Sequence, residues 1–587
     1  MIARVVPDVP SFAVDDGFRY AIPPDIEIEV GAIVRVPLGG RKVRGFVVGI
    51  ESGDDQSLKP IRARSGKMAI FDARLLQTLR WVAHHYVAPL STVLKRAAPP
   101  NIPRGAKAAV VSNDLPELDG PATDLGRQIA AGRTRNAHLQ SADPLDLVAL
   151  VAPILSGGSS VMIVAPTGVE AARISDTFEG ALGAVVLSVG PESPDREITA
   201  AWSNAAGESG YVLIGTPRIS LWPVAGIRAA IVVGDSRRGM KDRQTPTIHA
   251  REVLRARGGV ERFALITTGL VPSAEMIATG AEVIEAGPSR PWSLIEIVDR
   301  REDPPGTGVL SDRTKTAIAA AVKRGQGVFV FTHRRGYAPV FRCVACRELR
   351  TCSECGAKVG QSGECSRCGA VLGACGKCGK DRFEPLGAGV DRVAELVKRV
   401  VDASSVGMGG EGRQVTVGSV RDLPLLERIS LAVVADADGL VLGTNYRAAE
   451  EALRSLARVA AVVGSGSGHR TIVQTSNPEH PVLKALRRGE VLPFLEAELE
   501  QRAAFGFPPV GDLIVLECRN CPESAGRDLA ERLPDAAILG PAETERGTRW
   551  LLQAKDLAGT RNELRKIAGE WRDGGASLRI DVDPIDL

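Results

Sequence analysis

GQGVFVFTHRRGYAPVFRCVACRELRTCSECGAKVGQSGECSRCGAVLGACGKCG, residues 325–379, begins as an apolar strand and then changes character. Val328–Phe331 is a short apolar run of the kind buried in a parallel sheet. Eight of the ten cysteines follow as four C-x-x-C pairs: Cys343/Cys346, Cys352/Cys355, Cys365/Cys368 and Cys375/Cys378. Two intervening residues let both sulfurs of a pair face one ion at about 2.3 Å, so each pair supplies half of a tetrahedral site. Gly356, Gly369 and Gly379 follow the second cysteine in three pairs, where a tight knuckle needs relaxed backbone geometry. Four pairs make two four-thiolate sites with no position left for water, which predicts two structural Zn2+ ions rather than a catalytic one. Disulfides are the alternative in an oxidising compartment, and the paired spacing favours an iron–sulfur centre less. Spacing alone leaves three ways to pair the knuckles. Cys518 and Cys521 form a fifth C-x-x-C with no partner pair and read as buried or incidental thiols.

Outward from this insert, Gln414–Val417, Leu431–Ala435 and Thr471–Thr475 join Val328–Phe331 as strands of one α/β domain. A preceding series, Val161–Ala165, Ala184–Leu187, Tyr211–Gly215, Ile231–Gly234 and Phe263–Thr267, predicts a second. Residues 1–50 alternate in short runs broken by Pro23, Pro24, Gly31, Gly39 and Gly40 and read as all-β, followed by helical periodicity over 70–98. Pro99, Pro100 and Pro103 then break the chain. The domains expected are a β domain with its helix at 1–100, a linker or truncated module at 101–136, α/β lobes at 137–300 and 301–485 with the zinc insert at 343–380, and a C-terminal α+β domain at 486–587.

Composition bounds the function. With 73 Lys and Arg against 70 Asp and Glu, net charge +3 provides no global basic field, so any nucleic acid must be held by local patches. Aromatics at 4% argue against a chain built mainly from stacking platforms for single strands. Residues 1–20 lack a secretory pattern, and apolar stretches such as Leu145–Leu155 contain Asp146 and Pro153 and stop short of the ~18 residues of a membrane span. A cytoplasmic protein without membrane contact is expected.

An ordered set of stretches resembles the PriA family of replication-restart, superfamily-two DNA helicases. ARVVPDVP…FRYAIP…GAIVRVPLGGRKVRGFVVG at the N-terminus is similar to that family's domain for a DNA 3′ end, and GQGVFVFTHRRGYAP (325–339) to the start of its second helicase lobe. PTIHAREVLRAR (246–257), YRAAEEALRSLARV (446–459), QTSNPEHPVL (474–483), Pro508-Pro509 and IDVDP (580–584) also match, in order. The resemblance implies two RecA-like lobes and forked or branched DNA, with other primosome or replication proteins as partners and a nucleoid association. It also implies that Cys343, Cys346, Cys375 and Cys378 share one zinc and Cys352, Cys355, Cys365 and Cys368 the other. Its winged helix would fall in 101–136, where ~35 residues are short for such a domain.

Against the implied ATP-dependent motor stand the residues themselves. A phosphate cradle needs G-x-x-x-x-G-K-[ST], and no such string occurs; its expected place reads HLQSADPLDLV (138–148), where Asp143 and Asp146 would repel a triphosphate. The acidic magnesium motif is reduced to Asp235, followed by Ser236 and Arg237. The paired arginine fingers fall on Val462 and Ser465, and ALITTGLVPSAE (264–275) departs from the coupling segment. No catalytic residue is therefore assigned, and ATP binding is not expected. Expected DNA contacts are Phe18, Arg35, Gly39, Arg41, Lys42 and Arg44 around the Gly39-Gly40 turn, with Arg334 and Arg335 before the insert; a solvated charged turn and structural ion pairs are the bland counterparts. Arg19 stands after Phe18 where the family has an acid, so a 3′-hydroxyl loses its acceptor. The expectation is a replication-restart DNA-binding protein without ATPase or helicase activity. An active ATP-dependent 3′-to-5′ helicase and a zinc-ribbon interaction protein without DNA binding are the alternatives.

Overall fold

The alternation at the N-terminus closes into a small barrel of β1 (Ile2–Pro7), β2 (Phe18–Ala21), β3 (Ile33–Leu38), β4 (Arg41–Glu51) and β5 (Ala63–Ser65), in the order β2-β1-β4-β3-β5. Ala3, Val5, Val34, Val36 and Val47 point inward with Tyr20 and Ile61. The ring is shut by Ala21 N donating to the Lys59 carbonyl at 3.1 Å and Ile61 N to the Ala21 carbonyl at 3.0 Å. Residues of the opposite face, Val6, Ile33, Phe46 and Val48, join a core shared with α1 (Ala73–His85) and α2 (Leu90–Ala97). Asp72 caps α1 by accepting from Leu75 N at 2.8 Å, and the pair of helices is separated at Val87, whose φ is 49°. This is a computed structural model, and it describes all residues except 54–56, 104, 110–117, 134–135, 289, 305–306, 334–340, 355–358, 360–362, 366–369, 386–388, 444, 465 and 545.

The described chain divides into two compact units, 1–287 with 499–587, and 288–498. The first holds the barrel and a seven-stranded parallel sheet in the order Glu282–Glu285, Asn136–Gln140, Ala264–Gly269, Ile227–Val233, Ser160–Val164, Val212–Gly215, Val186–Val189. Its strands Ser160–Val164 and Val212–Gly215 are buried throughout, as apolar runs covered on both faces must be. Sequence periodicity located five of these strands. It missed Asn136–Gln140, here β6, which is polar in composition yet buried from Ala137 to Gln140. Within the stretch read as a linker, α3 (Pro121–Ala130) packs on α4 (Pro144–Ser156).

A four-stranded antiparallel sheet from the C-terminal residues completes this unit, ordered Ala537–Thr544, Gly547–Ala554, Asp512–Arg519, Ser577–Val582. IDVDP acts as a clamp. Lys241 Nζ donates to Asp581 Oδ1 and to the Val582 and Asp583 carbonyls, each at 2.6 Å. Arg565 reaches the Ala83 carbonyl at 2.9 Å and the Ala88 carbonyl at 3.1 Å, and pairs with Asp15. Cys518 and Cys521, expected as thiols, are disulfide-bonded: Cys518 lies near the end of the strand Asp512–Arg519 and Asn520, at φ 54°, turns the chain back so that the two sulfurs meet.

The second unit is a six-stranded parallel sheet ordered Leu294–Asp299, Arg470–Thr475, Ile429–Val434, Gly327–Phe331, Val415–Gly418, Val406–Met408. The Cys-rich insert leaves after Gly327–Phe331 and is spanned by an antiparallel pair, Phe341–Cys343 with Phe383–Pro385. Among the described residues no helix is long and apolar enough to cross a membrane.

Candidate metal centre and nucleic-acid interface

The first and last knuckles of the insert meet. Cys343, Cys346, Cys375 and Cys378 place their sulfurs within 4.8 Å of one another, with Cys343–Cys378 at 3.4 Å and Cys346–Cys375 at 3.6 Å. Four sulfurs at about 2.3 Å from one tetrahedral ion stand about 3.8 Å apart, so this donor set fits zinc. Each knuckle is closed by the same backbone bond, Cys343 N to the Glu348 carbonyl at 2.8 Å and Cys375 N to the Lys380 carbonyl at 2.7 Å. The Cys346 amide, aided by that of Ala345, draws the Cys343 thiol down to about 7, whereas the Cys346 thiol is raised to about 12: the Glu348 amide lowers it, but burial and the neighbouring sulfurs outweigh that. Gly379 takes φ 71° after its pair; after Cys346 the same left-handed geometry, φ 61°, falls on Arg347. Its guanidinium is anchored on the Arg300 carbonyl and, at 2.6 Å, on that of Asp303. Cys365 repeats the knuckle bond, its N–H donating to the Ala370 carbonyl at 2.8 Å. Cys352 and Cys365 are buried around Val359, while Cys355 and Cys368 lie outside the described residues.

In the first lobe, β6 passes to α4 through only Ser141–Asp143, whereas a phosphate cradle takes about eight residues. The start of α4 is already occupied. Asp143 Oδ1 accepts from Leu145 N at 2.9 Å, Ser141 Oγ accepts from Asp143 N at 3.0 Å and donates to Asp146, and Pro144 has no N–H. Two carboxylates thus sit at the positive pole where a triphosphate would need to be. Asp235 is 1% exposed, and its Oδ2 accepts from Arg251 Nη1 at 2.9 Å and Ser273 Oγ at 2.5 Å. Arg251 also holds Glu252 at 2.9 Å and Glu275 at 3.4 Å. Burial would raise Glu252, but Arg251 and Arg255 hold its carboxyl at about 2. ATP and magnesium do not fit these residues. Val462 merely ends the helix Ala448–Ala461, and Ser465 lies outside the described residues. His249 caps the helix Ala250–Glu261, and Asp438 accepts from Ser476 N at 2.8 Å and Asn477 Nδ2 at 3.2 Å.

The barrel presents the opposite electrostatics. Gly39 and Gly40 form the two-residue β3–β4 turn with φ 54° and 78°, both positive as a type I′ turn requires. A Cβ would meet nothing at either, so glycine serves the dihedral rather than space. Cross-strand partners are Arg35 with Arg44, Pro37 with Lys42 and Leu38 with Arg41. Alternation therefore sets Arg35, Lys42 and Arg44 on the outer face, in line with Ile33 and Phe46, and Arg41 on the other. Among the described residues the side chains of Arg35, Arg41 and Lys42 have no ion pair. Like charges directly opposite destabilise a sheet; here the Arg44 guanidinium lies over the Phe46 ring at 5.2 Å and Asp8 offsets part of the repulsion from Arg35. Burial lowers Arg44, with Arg35 adding to this and Asp8 opposing it. Phe18 is 41% exposed on edge strand β2, while Arg19 is tied to Glu51 at 2.8 Å. Arg334 and Arg335 lie outside the described residues.

The model of the PriA 3′DNA-binding domain (3'BD) family matches residues 4–99. Replication restart protein PriA of Synechocystis sp. is 25% identical over 503 residues, covering 74% of this chain and 60% of that protein. Replication restart protein PriA of Rickettsia conorii is 22% identical over 634 residues, covering 96% of this chain and 97% of its own. That of Treponema pallidum is 23% identical over 636 residues, covering 96% of each. Among solved structures, one titled RecG bound to three-way DNA junction aligns with TM-score 0.37 and 12% identity over 73% of this chain and 54% of that one, too slight a likeness to bear on function. Across most of its length the chain is similar to replication restart proteins PriA.

Proposed function

With likeness to PriA as the premise, we propose that the chain binds forked or branched DNA in the cytoplasm, at the nucleoid, and recruits primosome and other replication proteins without ATPase or helicase activity. Residues 1–100 serve as the DNA-end-binding-like domain, 137–300 and 301–485 as helicase-like lobes, and 486–587 as the domain that clamps the first lobe to the barrel helices. The observation that carries the motorless part is the occupied start of α4, where Asp143 caps the helix and Pro144 removes a donor. The outer-face cations Arg35, Lys42 and Arg44 would displace counterions from a phosphate backbone, and Arg41 and Gly39 would let it approach the tip. Zinc at Cys343, Cys346, Cys375 and Cys378, and a second ion at Cys352, Cys355, Cys365 and Cys368, would hold the insert folded.

One zinc-loaded preparation tests the reading. Labelled fork DNA should bind at low salt with affinity falling steeply as salt rises, while phosphate release from ATP stays at the blank with or without fork. Fork-stimulated hydrolysis would establish the active helicase instead, and no fork binding at low salt would leave the zinc-ribbon interaction protein. Clustered thiols should resist titration until the metal is chelated; eight thiols reacting freely in native, metal-replete protein would overturn the zinc sites.

A further inference from the structure

The cations of the barrel continue inward to a cavity that the DNA reading does not use. About 520 Å³ in volume, it lies where β4, the end of α2 and the segment after strand Val212–Gly215 come together, and it is lined by Arg44, Lys95, Arg96, Arg218 and Asp242. Asp242 is taken by Arg96 at 2.5 Å, and Asp8, outside the lining, stands 3.7 Å from Lys95. Even when both acids are counted, four cations against two leave two positive charges uncompensated. Arg218 is exposed and has no side-chain partner among the described residues, and Arg44 Nε is buried with no acceptor. Buried donors of this kind are costly unless something accepts from them. Pro99, Pro100 and Pro217 give the same cavity rigid apolar walls. Pro99 and Pro100 read in sequence only as part of a chain break.

We propose that this cavity is a phosphoryl-binding site, with Arg44 and Arg218 as the donors to the phosphate oxygens and the proline walls against the sugar or base. Guanidinium pairs suit phosphate because their forked N–H groups match two oxygens at once. A nucleic-acid strand is the source the geometry favours: Arg44 belongs both to the cavity and to the exposed hairpin row with Arg35 and Lys42, so one backbone can run from one to the other. In that form the inference rests on the DNA-binding reading above; the phosphoryl site itself does not.

The test uses the full, zinc-loaded chain and a 5′-labelled single strand, with anisotropy read between about 50 and 200 mM salt. Arg218→Glu should weaken binding about tenfold and lower the magnitude of the salt slope by about one, and Arg44→Gln should act in the same direction. Arg527→Glu, an exposed arginine outside the lining, should do neither. Because Arg218 is exposed, its variant should melt with the parent, which separates lost binding from lost fold. Calorimetric titration with inorganic pyrophosphate supplies the second arm. Pyrophosphate binding that disappears in Arg218→Glu, with strand binding unchanged, assigns the cavity to a free nucleotide or phosphate. A parent that binds pyrophosphate but no strand sinks the DNA reading and keeps the site. Variants that match the parent toward both probes overturn the inference.

Discussion

Two regions of the first unit stand where phosphate contacts are expected, the β3–β4 hairpin and the junction of β6 with α4, and they differ in one physical respect. At the hairpin, Arg35, Arg41 and Lys42 have no ion pair among the described residues, and Arg35 and Arg44 oppose one another across the strands. At the helix start the Leu145 and Asp143 amides are taken by the chain's own Asp143 and Ser141, and the local charge is negative. Both are turns between regular elements. What separates a site that can take an anion from one that cannot is whether its donors are left open by the fold.

The sharpest way to break this contrast is to open the second region. Arg251→Ala removes the partner of Asp235, Glu252 and Glu275 inside the lobe. Stranding buried carboxylates should cost about 3–5 kcal/mol, read as a lowered denaturation midpoint. Magnesium-dependent nucleotide binding should still be absent, because no cradle lies above Asp235. If the variant bound ATP and magnesium, the lobe would be a masked motor and the contrast would fail. Next in size is the hairpin. Arg35→Glu with Lys42→Glu should weaken fork binding about 100-fold at low salt and reduce the salt slope by about two, with unchanged melting. An unaltered slope would make the turn a solvated surface and no more.

How far each region could be read in advance follows from the reach of its interactions. The cysteine pairs and the Gly39-Gly40 turn were legible because their chemistry is local: ligand spacing and positive φ are fixed by neighbours in sequence. The apolar strands were legible too, since Met162 or Ile214 must be covered on both faces. β6 was not, because Asn136–Gln140 is polar and its burial depends on a tertiary partner. His138 is satisfied by Thr267 Oγ1 at 2.9 Å and the Gly269 carbonyl at 3.0 Å, residues 129 and 131 positions away. The arginine cavity draws on segments spread from Arg44 to Ala250, so no window of sequence contains it. The Arg347 conformation was hidden for another reason: three glycines suggested a rule that the fourth knuckle meets with an anchored arginine instead.

The engaged carboxylates of the lobe also predict a pH signature. Glu252 sits at about 2 in the folded chain against an ordinary value of 4.5. A depressed folded value stabilises fully above the ordinary one and is lost as pH falls from about 4.5 toward 2. Denaturant midpoints measured downward from pH 6 should therefore drop through that window. Glu252→Gln should flatten this part of the profile, leaving the slope that other groups contribute. An identical slope in the variant would mean that Glu252 is not held by Arg251 and Arg255.

The smallest effect probes the helix start itself. Asp143→Ala removes the acceptor for Leu145 N and should destabilise the chain by about 1 kcal/mol, the usual worth of an N-cap. It also takes away one negative charge and exposes a backbone donor at the positive pole of α4, the two features that would favour an anion there. Pro144 still lacks its N–H, Asp146 still holds Ser141, and no lysine stands within the loop. Nucleotide affinity measured by calorimetry should therefore stay absent while the melting temperature falls slightly. A gain of ATP binding from this one change would show that Asp143 alone closes the site, and the difference between hairpin and helix start would then rest on a single charge rather than on the loss of a cradle.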